Sequence, residues 1–572
     1  MPRSVHRLAL SSCKRGLEGL FLVVLALTVA AHAQELPYQD VFPGSRPLPL
    51  PPAPESAEPV PLELPPPPPP RQGGLPGDLR FFLREVAIEG NSVLPVAALA
   101  EVTAPYVGRE VDGGDLESLR DALTGLYVRA GYVNSRATLP DQDLAGGLLR
   151  VRVVEGHLGG VVIRGNRGYR ASTLRAQLRG DPEQPLNAYA MERRLRVLEA
   201  DPGIESVRAA LRPGASRDQS VLDVEVVEGR RLHVGLDFGN ELNPLIGAEA
   251  GHLSVSYLNP LGFGDSLGAT FGVSEGLRDV RAEYATPLGP YGTRLQLDFR
   301  YSRAKIVEPD LEFLDIESRY IDAAIDLSQR LWVGERSQLV AGLRAAWRQS
   351  RSTYLFGSFS FSDAANDRGE VRDSVLRFYQ EWSTRSANQA FVARSTWSVG
   401  LDVLGATSGK VDTAEFAAWL GQLQWLQRFE GSGLELLLRG SAQLALDPLL
   451  PFERFSVGGY YSVRGYRENQ LVRDNGFSFG LDARLPLRRT PAGRTLLRAG
   501  PFVDVGRSWN EGRGVTEGKK TLASVGVAVT WWPWPWLRAE FSYGARLVDI
   551  DRPNDSSLQD HGIDFRLFAT AW

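Results

Sequence analysis

From about Arg231 to the C-terminus, apolar and polar residues alternate along the chain. In LQLDFRY (Leu295 to Tyr301), Leu295, Leu297, Phe299 and Tyr301 fall on one side and Gln296, Asp298 and Arg300 on the other. LELLLRGSAQL (Leu434 to Leu444) and LRAEFSY (Leu537 to Tyr543) repeat the pattern. A period of two puts successive side chains on opposite faces of a strand, so this region reads as all β. Its roughly 340 residues accommodate about sixteen tilted strands of about ten residues, with turns and loops. The alternation alone fits a soluble sandwich, apolar face inward, as well as a membrane barrel, apolar face outward. In GIDFRLFATAW the parity breaks, because Ile563, Phe565 and Leu567 stand opposite to Phe568 and Trp572. A bulge or a shifted register is the expected remedy.

Ahead of that region the pattern is different. LREVAIEGNSVL (Leu83 to Leu94) is similar to LGGVVIRGNRGY (Leu158 to Tyr169), and LRVRVVEG (Leu149 to Gly156) is similar to LDVEVVEG (Leu222 to Gly229). This spacing gives two repeated units of roughly seventy to eighty residues. Helical periodicity lies between the matching ends. DLESLRDALTGLYVRAGY places Leu116, Leu119, Leu123 and Leu126 on one face, with Asp115 as the expected cap and Gly131 as the stop. NAYAMERRLRVLEADPG repeats the design with Met191, Leu195 and Leu198. Each unit reads β-α-α-β-β, and these side chains are expected in its core.

Residues 34–79 are proline-rich and favour extended polyproline conformations, because each proline fixes φ and removes a donor. Before them, Arg3, Arg7, Lys14 and Arg15 precede the apolar run Leu20 to Ala31, and Ala31-His32-Ala33 supplies small residues around a cleavage site. This is the layout of a signal peptide, residues 1–33, cut after Ala33. The sole cysteine, Cys13, lies inside it, so the mature chain has no disulfide, thiolate nucleophile or cysteine metal site. No later segment is long and apolar enough for a transmembrane helix. The signal, the aromatic cluster WWPWPW (Trp531 to Trp536) and the terminal Trp572 tip the choice toward an outer-membrane barrel.

The net charge of −4 gives no reason to expect nucleic acid. His157, His233, His252 and His561 are scattered, and neither a metal nor a cofactor is expected. TEGKKT (Thr516 to Thr521) lacks the spacing of a phosphate loop, and no catalytic triad or HExxH pattern occurs, so an enzyme is not expected.

Four motifs then carry a family resemblance. GYVNSRATLPDQDLAGGLLRVRVVEG (Gly131 to Gly156), NPLGFGD (Asn259 to Asp265), VRGY (Val463 to Tyr466) and FVDVG (Phe502 to Gly506) occur in that order. Together with the repeat, they make the chain after the linker resemble the TpsB family, the outer-membrane transporters of two-partner secretion. DFGN (Asp237 to Asn240) departs from that family's usual first strand, and no amphipathic helix precedes the linker where relatives carry a plug helix.

The resemblance implies two periplasmic POTRA domains, 80–156 and 157–230, and a barrel, 231–572, of about sixteen strands with an inward-folded lid loop. It implies a monomeric pore, surrounded by outer-membrane lipid, that passes an unfolded exoprotein with an amino-terminal secretion domain. Val463, Arg464, Gly465 and Tyr466 would form the lid tip, and Phe502, Asp504 and Gly506 its seat, with Arg464 paired to Asp504. The segment Val133, Asn134, Ser135, Arg136, Ala137, Thr138 and Leu139 would offer a strand edge for docking the partner. A barrel-assembly insertase of the same superfamily and a passive porin are the rival readings.

Overall fold

The computed structural model describes residues 46–51, 62–63 and 80–571, except 217, 290–291, 335, 356, 360–361, 513–517, 519 and 551–556. The expected signal peptide, most of the linker and Trp572 lie outside the described residues.

In the first unit, Glu85–Glu89, Leu148–Val154 and Arg136–Thr138 form a sheet with Leu148–Val154 in the middle. The helices Val96–Thr103 and Gly113–Arg129 supply its α layer. Asp112, not Asp115, caps the longer helix. Its carboxylate accepts the Asp115 N–H, and Asp115 reciprocates from the third position. Leu116, Leu119 and Leu123 are buried as expected, but Tyr127 rather than Leu126 completes the buried face. The second unit has the same order, with helices Ala171–Arg179 and Ala188–Glu199. Met191, Leu195 and Leu198 lie in its core.

The repeated Gly-Asn and Glu-Gly motifs build one device twice. Gly90 and Gly165 have φ of 83° and 80°, and a Cβ there would stand 2.5 and 2.4 Å from the carbonyl oxygens of Val153 and Val226. Only glycine permits this approach. Asn91 and Asn166 each donate to a carbonyl three residues on, at 2.8 Å. Glu155 accepts the Ser92 N–H at 2.8 Å, and Glu228 accepts those of Arg167, Gly168 and Tyr169 at 2.7, 2.8 and 3.0 Å.

Beyond these units, sixteen antiparallel strands close into a barrel, from Leu232–Gly239 to Ile563–Ala571. Val234 stands opposite Ala571 and Gly239 opposite Arg566 at the closing seam. A further short strand, Gly357–Phe359, pairs with one end of Ser337–Tyr354, which itself pairs with Glu370–Arg385. Leu297, Phe299 and Tyr301 are exposed outside, whereas Arg300 turns inward to Asp279 at 2.7 Å. The apolar face is therefore the outer one, as in a membrane barrel and unlike a sandwich. Trp531, Trp534 and Trp536 are exposed at a strand end, where indole rings suit the lipid–water boundary.

The expected bulge in the last strand is absent. Ile563–Ala571 pairs without a register shift on both sides. Phe568 simply faces the lumen, where the guanidinium carbons of Arg538 and Arg566 lie 4.0 and 4.3 Å from its ring centre. Two cations on its π faces accommodate an aromatic on the polar side.

The linker is partly structured. Leu62–Glu63 add a parallel strand to the edge strand Ile204–Pro213, with Leu62 opposite Ala209. Residues 46–51 lie against the inner barrel wall, where Leu48 is buried.

Candidate functional site: the lid loop and its seat

The strands Glu435–Ala445 and Asn475–Arg489 are paired neighbours in the barrel, and the loop joining them folds into the lumen. Phe455–Val457 and Leu471–Arg473 form a small hairpin at its base. Phe455, Val457, Val463 and Tyr466 pack into one buried cluster with Leu420 and Leu522 of the wall. Apolar packing thus brings the loop inside, and its charged groups then meet partners there.

Arg464 is 4% exposed, so its charge must be matched locally. Its Nε and Nη2 donate to the two oxygens of Asp504 at 2.7 and 2.9 Å, the parallel fork that guanidinium and carboxylate favour. The Arg464 N–H adds a third bond to Asp504 at 3.1 Å. The Phe502 ring lies beneath the guanidinium at 3.5 Å. Alternation places Phe502, Asp504 and Gly506 on the same inward row of Thr495–Trp509. A Cβ on Gly506 would fall 2.4 Å from Val457 and 3.0 Å from Val463, so its missing side chain is the space the lid fills. The Tyr466 hydroxyl stands 2.8 Å from the carbonyl oxygens of both Ala523 and Val548. Val463 is fully buried beside these groups.

Sequence reasoning missed two parts of the site. Asp482, on the neighbouring strand, takes Arg464 Nη2 at 2.7 Å. It also meets Arg484 at 3.2 Å and Arg439 at 3.6 Å, and Arg439 reaches Asp504 at 3.5 Å. The lock is a cluster of two carboxylates and three arginines. The second missed part is Arg467, one residue past VRGY. Its guanidinium holds Asp560 at 2.6 and 2.8 Å and Glu308 at 2.9 Å, joining the lid to two other loops. The adjacent REN residues were the available signal, but their partners are distant in sequence.

The expected docking segment is divided. Val133 packs against the second unit, Asn134 donates to Ser220 at 3.2 Å, and the Ser135 hydroxyl accepts the Gly156 N–H at 3.1 Å. These three belong to the joint between the units. Arg136–Thr138 is an edge strand, with Ala137 buried beneath it. Leu139 packs on the first unit's core.

NPLGFGD seats the second unit on the barrel. Asn259 accepts the Gly264 N–H at 2.9 Å, and Arg170 donates its N–H to the Gly262 carbonyl at 2.9 Å. The Arg170 guanidinium carbon covers the Phe263 ring at 4.1 Å.

Among the described residues, Asp237, Glu241 and His252 form one grouping of metal-ligand type, which the scatter of histidines in sequence did not foretell. Arg566 already occupies it, 2.9 Å from Asp237 and paired with Glu241, while His252 meets Asp237 at 3.2 Å. A guanidinium supplies the positive charge there, at the barrel's closing seam.

The chain resembles known proteins over most of its length. A family model described as Haemolysin secretion/activation protein ShlB/FhaC/HecB matches residues 218–531, and one described as POTRA domain, ShlB-type matches residues 81–156. The outer membrane transporter CdiB of Escherichia coli O6:K15:H31 (strain 536 / UPEC) is 26% identical over 419 residues, covering 69% of this chain and 67% of that protein. The heme/hemopexin transporter protein HuxB of Haemophilus influenzae is 21% identical over 341 residues, covering 53% and 60%. The solved structure of CdiB from Escherichia coli has a TM-score of 0.67 at 20% identity, covering 88% of this chain and 92% of that one. BamA from Haemophilus ducreyi, lacking POTRA domains 1–3, shares the fold at a TM-score of 0.53 and 14% identity, covering 86% and 100%. The chain belongs to the ShlB/FhaC/HecB haemolysin secretion/activation family, and is an outer-membrane β-barrel transporter with periplasmic POTRA domains.

Proposed function

We propose that this transporter recognises an unfolded partner exoprotein in the periplasm and threads it through the barrel to the cell surface without ATP. The observation that carries the reading is the lid itself, pinned inside the lumen by the cluster of Arg464, Asp504 and Asp482. A removable obstruction suits a conduit for a large, occasional cargo. A diffusion porin gains nothing from it, nor from two soluble units. The relatives CdiB and HuxB are named as transporters, which supports a transport role.

In this reading residues 80–156 and 157–230 are the receiving domains and 231–572 the monomeric pore in the lipid. The cargo's amino-terminal secretion domain docks by adding a strand to the edge Arg136–Thr138, whose outer side faces no neighbouring strand among the described residues. Folding of the cargo outside supplies the pull, in keeping with the lack of a phosphate loop. The insertase reading is weaker, because two units stand where an assembly factor of this superfamily carries five.

Deletion of residues 81–156 tests the proposal. The barrel is expected to insert and to keep its heat-modifiable migration, while export of the partner stops. Normal export by a folded deletion variant would refute docking on the first unit.

A further inference from the structure

The inner wall holds a piece of this same chain in an informative way. On the strand Ala417–Arg428, Leu420, Gln422 and Gln424 share the inward row. Gln422 Nε2 donates to the Arg46 carbonyl at 3.0 Å, and Gln424 Nε2 to the Leu48 carbonyl at 2.6 Å. Two wall residues two positions apart thus hold two carbonyls two positions apart, and the two chains run in the same direction. Extended backbone repeats about every 6.6 Å for each pair of residues, so wall and guest have matching periods.

Only backbone atoms of the guest take part in these two bonds. The two carbonyls that meet the wall, Arg46 and Leu48, stand at alternate positions, as an extended backbone presents them, and Pro47 and Pro49 have no N–H that needs an acceptor. A glutamine amide is also suited to a guest with N–H groups, because it donates through nitrogen and accepts through oxygen. It is uncharged, and one such bond shifts an equilibrium only about two- to tenfold. That is enough to guide an extended chain and too little to trap it. The guest is felt at the lid as well, since the Arg46 guanidinium carbon lies 5.4 Å from the Tyr461 ring centre.

We propose that Gln422 and Gln424 form a backbone-reading track for extended polypeptide, occupied at rest by Arg46 to Leu48 and taken over by the exported chain in transit. The inference rests on the export reading above and adds the residues that would carry the cargo.

The test uses the purified full chain in planar lipid bilayers, with a synthetic uncharged Ser/Thr-rich polypeptide added on the periplasmic side as probe. Wild type is expected to show transient current blockades as the probe enters. In Gln422→Leu/Gln424→Leu the blockades should shorten by about two- to tenfold per amide lost, and openings without probe should become more frequent. A second variant, Leu48→Cys/Gln424→Cys, is joined by a short cleavable thiol-reactive crosslinker. Tethering should suppress probe entry severalfold, and cleavage of the linker should restore it. Unchanged blockade times in the leucine variant, or unchanged entry with the tether in place, would overturn the track while leaving export intact. If wild type itself admits no probe, the track as a guide for any extended chain is overturned, while the export reading, which requires a docked secretion domain, is judged by the deletion of residues 81–156.

Discussion

Gly465 and Gly544 lie backbone against backbone. A Cβ on Gly465 would stand 2.5 Å from the Gly544 carbonyl oxygen, and one on Gly544 would stand 2.7 Å from the Gly465 nitrogen. Gly465 also has a φ of 90°, which side chains resist, and Arg546 donates to its carbonyl. The lid tip therefore touches the wall at a point that admits no methyl from either side.

Gly465→Ala should lift that tip, at a cost above about 1 kcal/mol from backbone strain alone. Trypsin added to intact cells reports the result, because Arg464 and Arg467 are buried beside the glycine. Cleavage there in the variant, and none in wild type, is expected. Equal resistance would mean that the seat yields to a methyl.

Arg464→Ala should impair export more than Asp504→Asn. The first change leaves Asp482 and Asp504 sharing only Arg439, which lies 3.6 and 3.5 Å from them, whereas the second leaves Arg464 still bound to Asp482. Removing one partner of a fully buried pair costs roughly 3–5 kcal/mol, and water in the lumen lowers that figure. Arg464→Ala/Asp504→Ala should lose less than the sum of its single changes, measured as export at equal barrel abundance. The exchange Arg464→Asp/Asp504→Arg should recover only part, because the new carboxylate meets Asp482. Strict additivity would separate Arg464 from Asp504.

Arg467→Ala should open the outer end of the lid while the inner lock stays closed. It removes the bonds to Asp560 and Glu308 and frees two loops from one another. Single-channel recordings should show more frequent openings than wild type, with trypsin cleavage at Arg464 still slow. Identical recordings would leave Arg467 without a part in closure.

Glu228 makes the second periplasmic unit sensitive to acid. Burial pushes its carboxyl up, but the N–H groups of Tyr169, Gly168 and Arg167, with the Arg231 guanidinium, outweigh this and hold it at about 2, below its ordinary 4.5. A folded-state value below the unfolded one stabilises the fold above about pH 4.5, and that contribution disappears as pH falls toward 2. Glu228→Gln should cost about 1–2 kcal/mol at neutral pH and flatten the acid dependence. Hydrogen exchange at the Arg167 to Tyr169 amides reads both effects, and an unchanged acid profile in the variant would clear Glu228 of the role.

The alternation from Arg231 onward was enough to specify a long run of strands, since a period of two fixes which side chains share a face. The repeated Gly-Asn and Glu-Gly motifs were enough to mark two units, because each motif clamps its own turn. VRGY and FVDVG brought Arg464 and Asp504 together by resemblance. The alternation alone did not say which face meets lipid. The signal, the aromatic cluster and the terminal Trp572 pointed to the apolar one, and the closed sheet bears this out. The lumenal place of Phe568 between two arginines was decided only by closure. Asp482 became part of the lock through register, as the strand beside Asp504 carries it inward. Arg467 found Asp560, 93 positions away, and Glu308, 159 away, by the convergence of loops at one end of the barrel. The linker's place against Gln422 and Gln424 is of the same kind, at a separation of 376. Local periodicity is written in neighbouring residues, whereas charge partners across a lumen are chosen by strand number, tilt and register, which only the closed barrel defines.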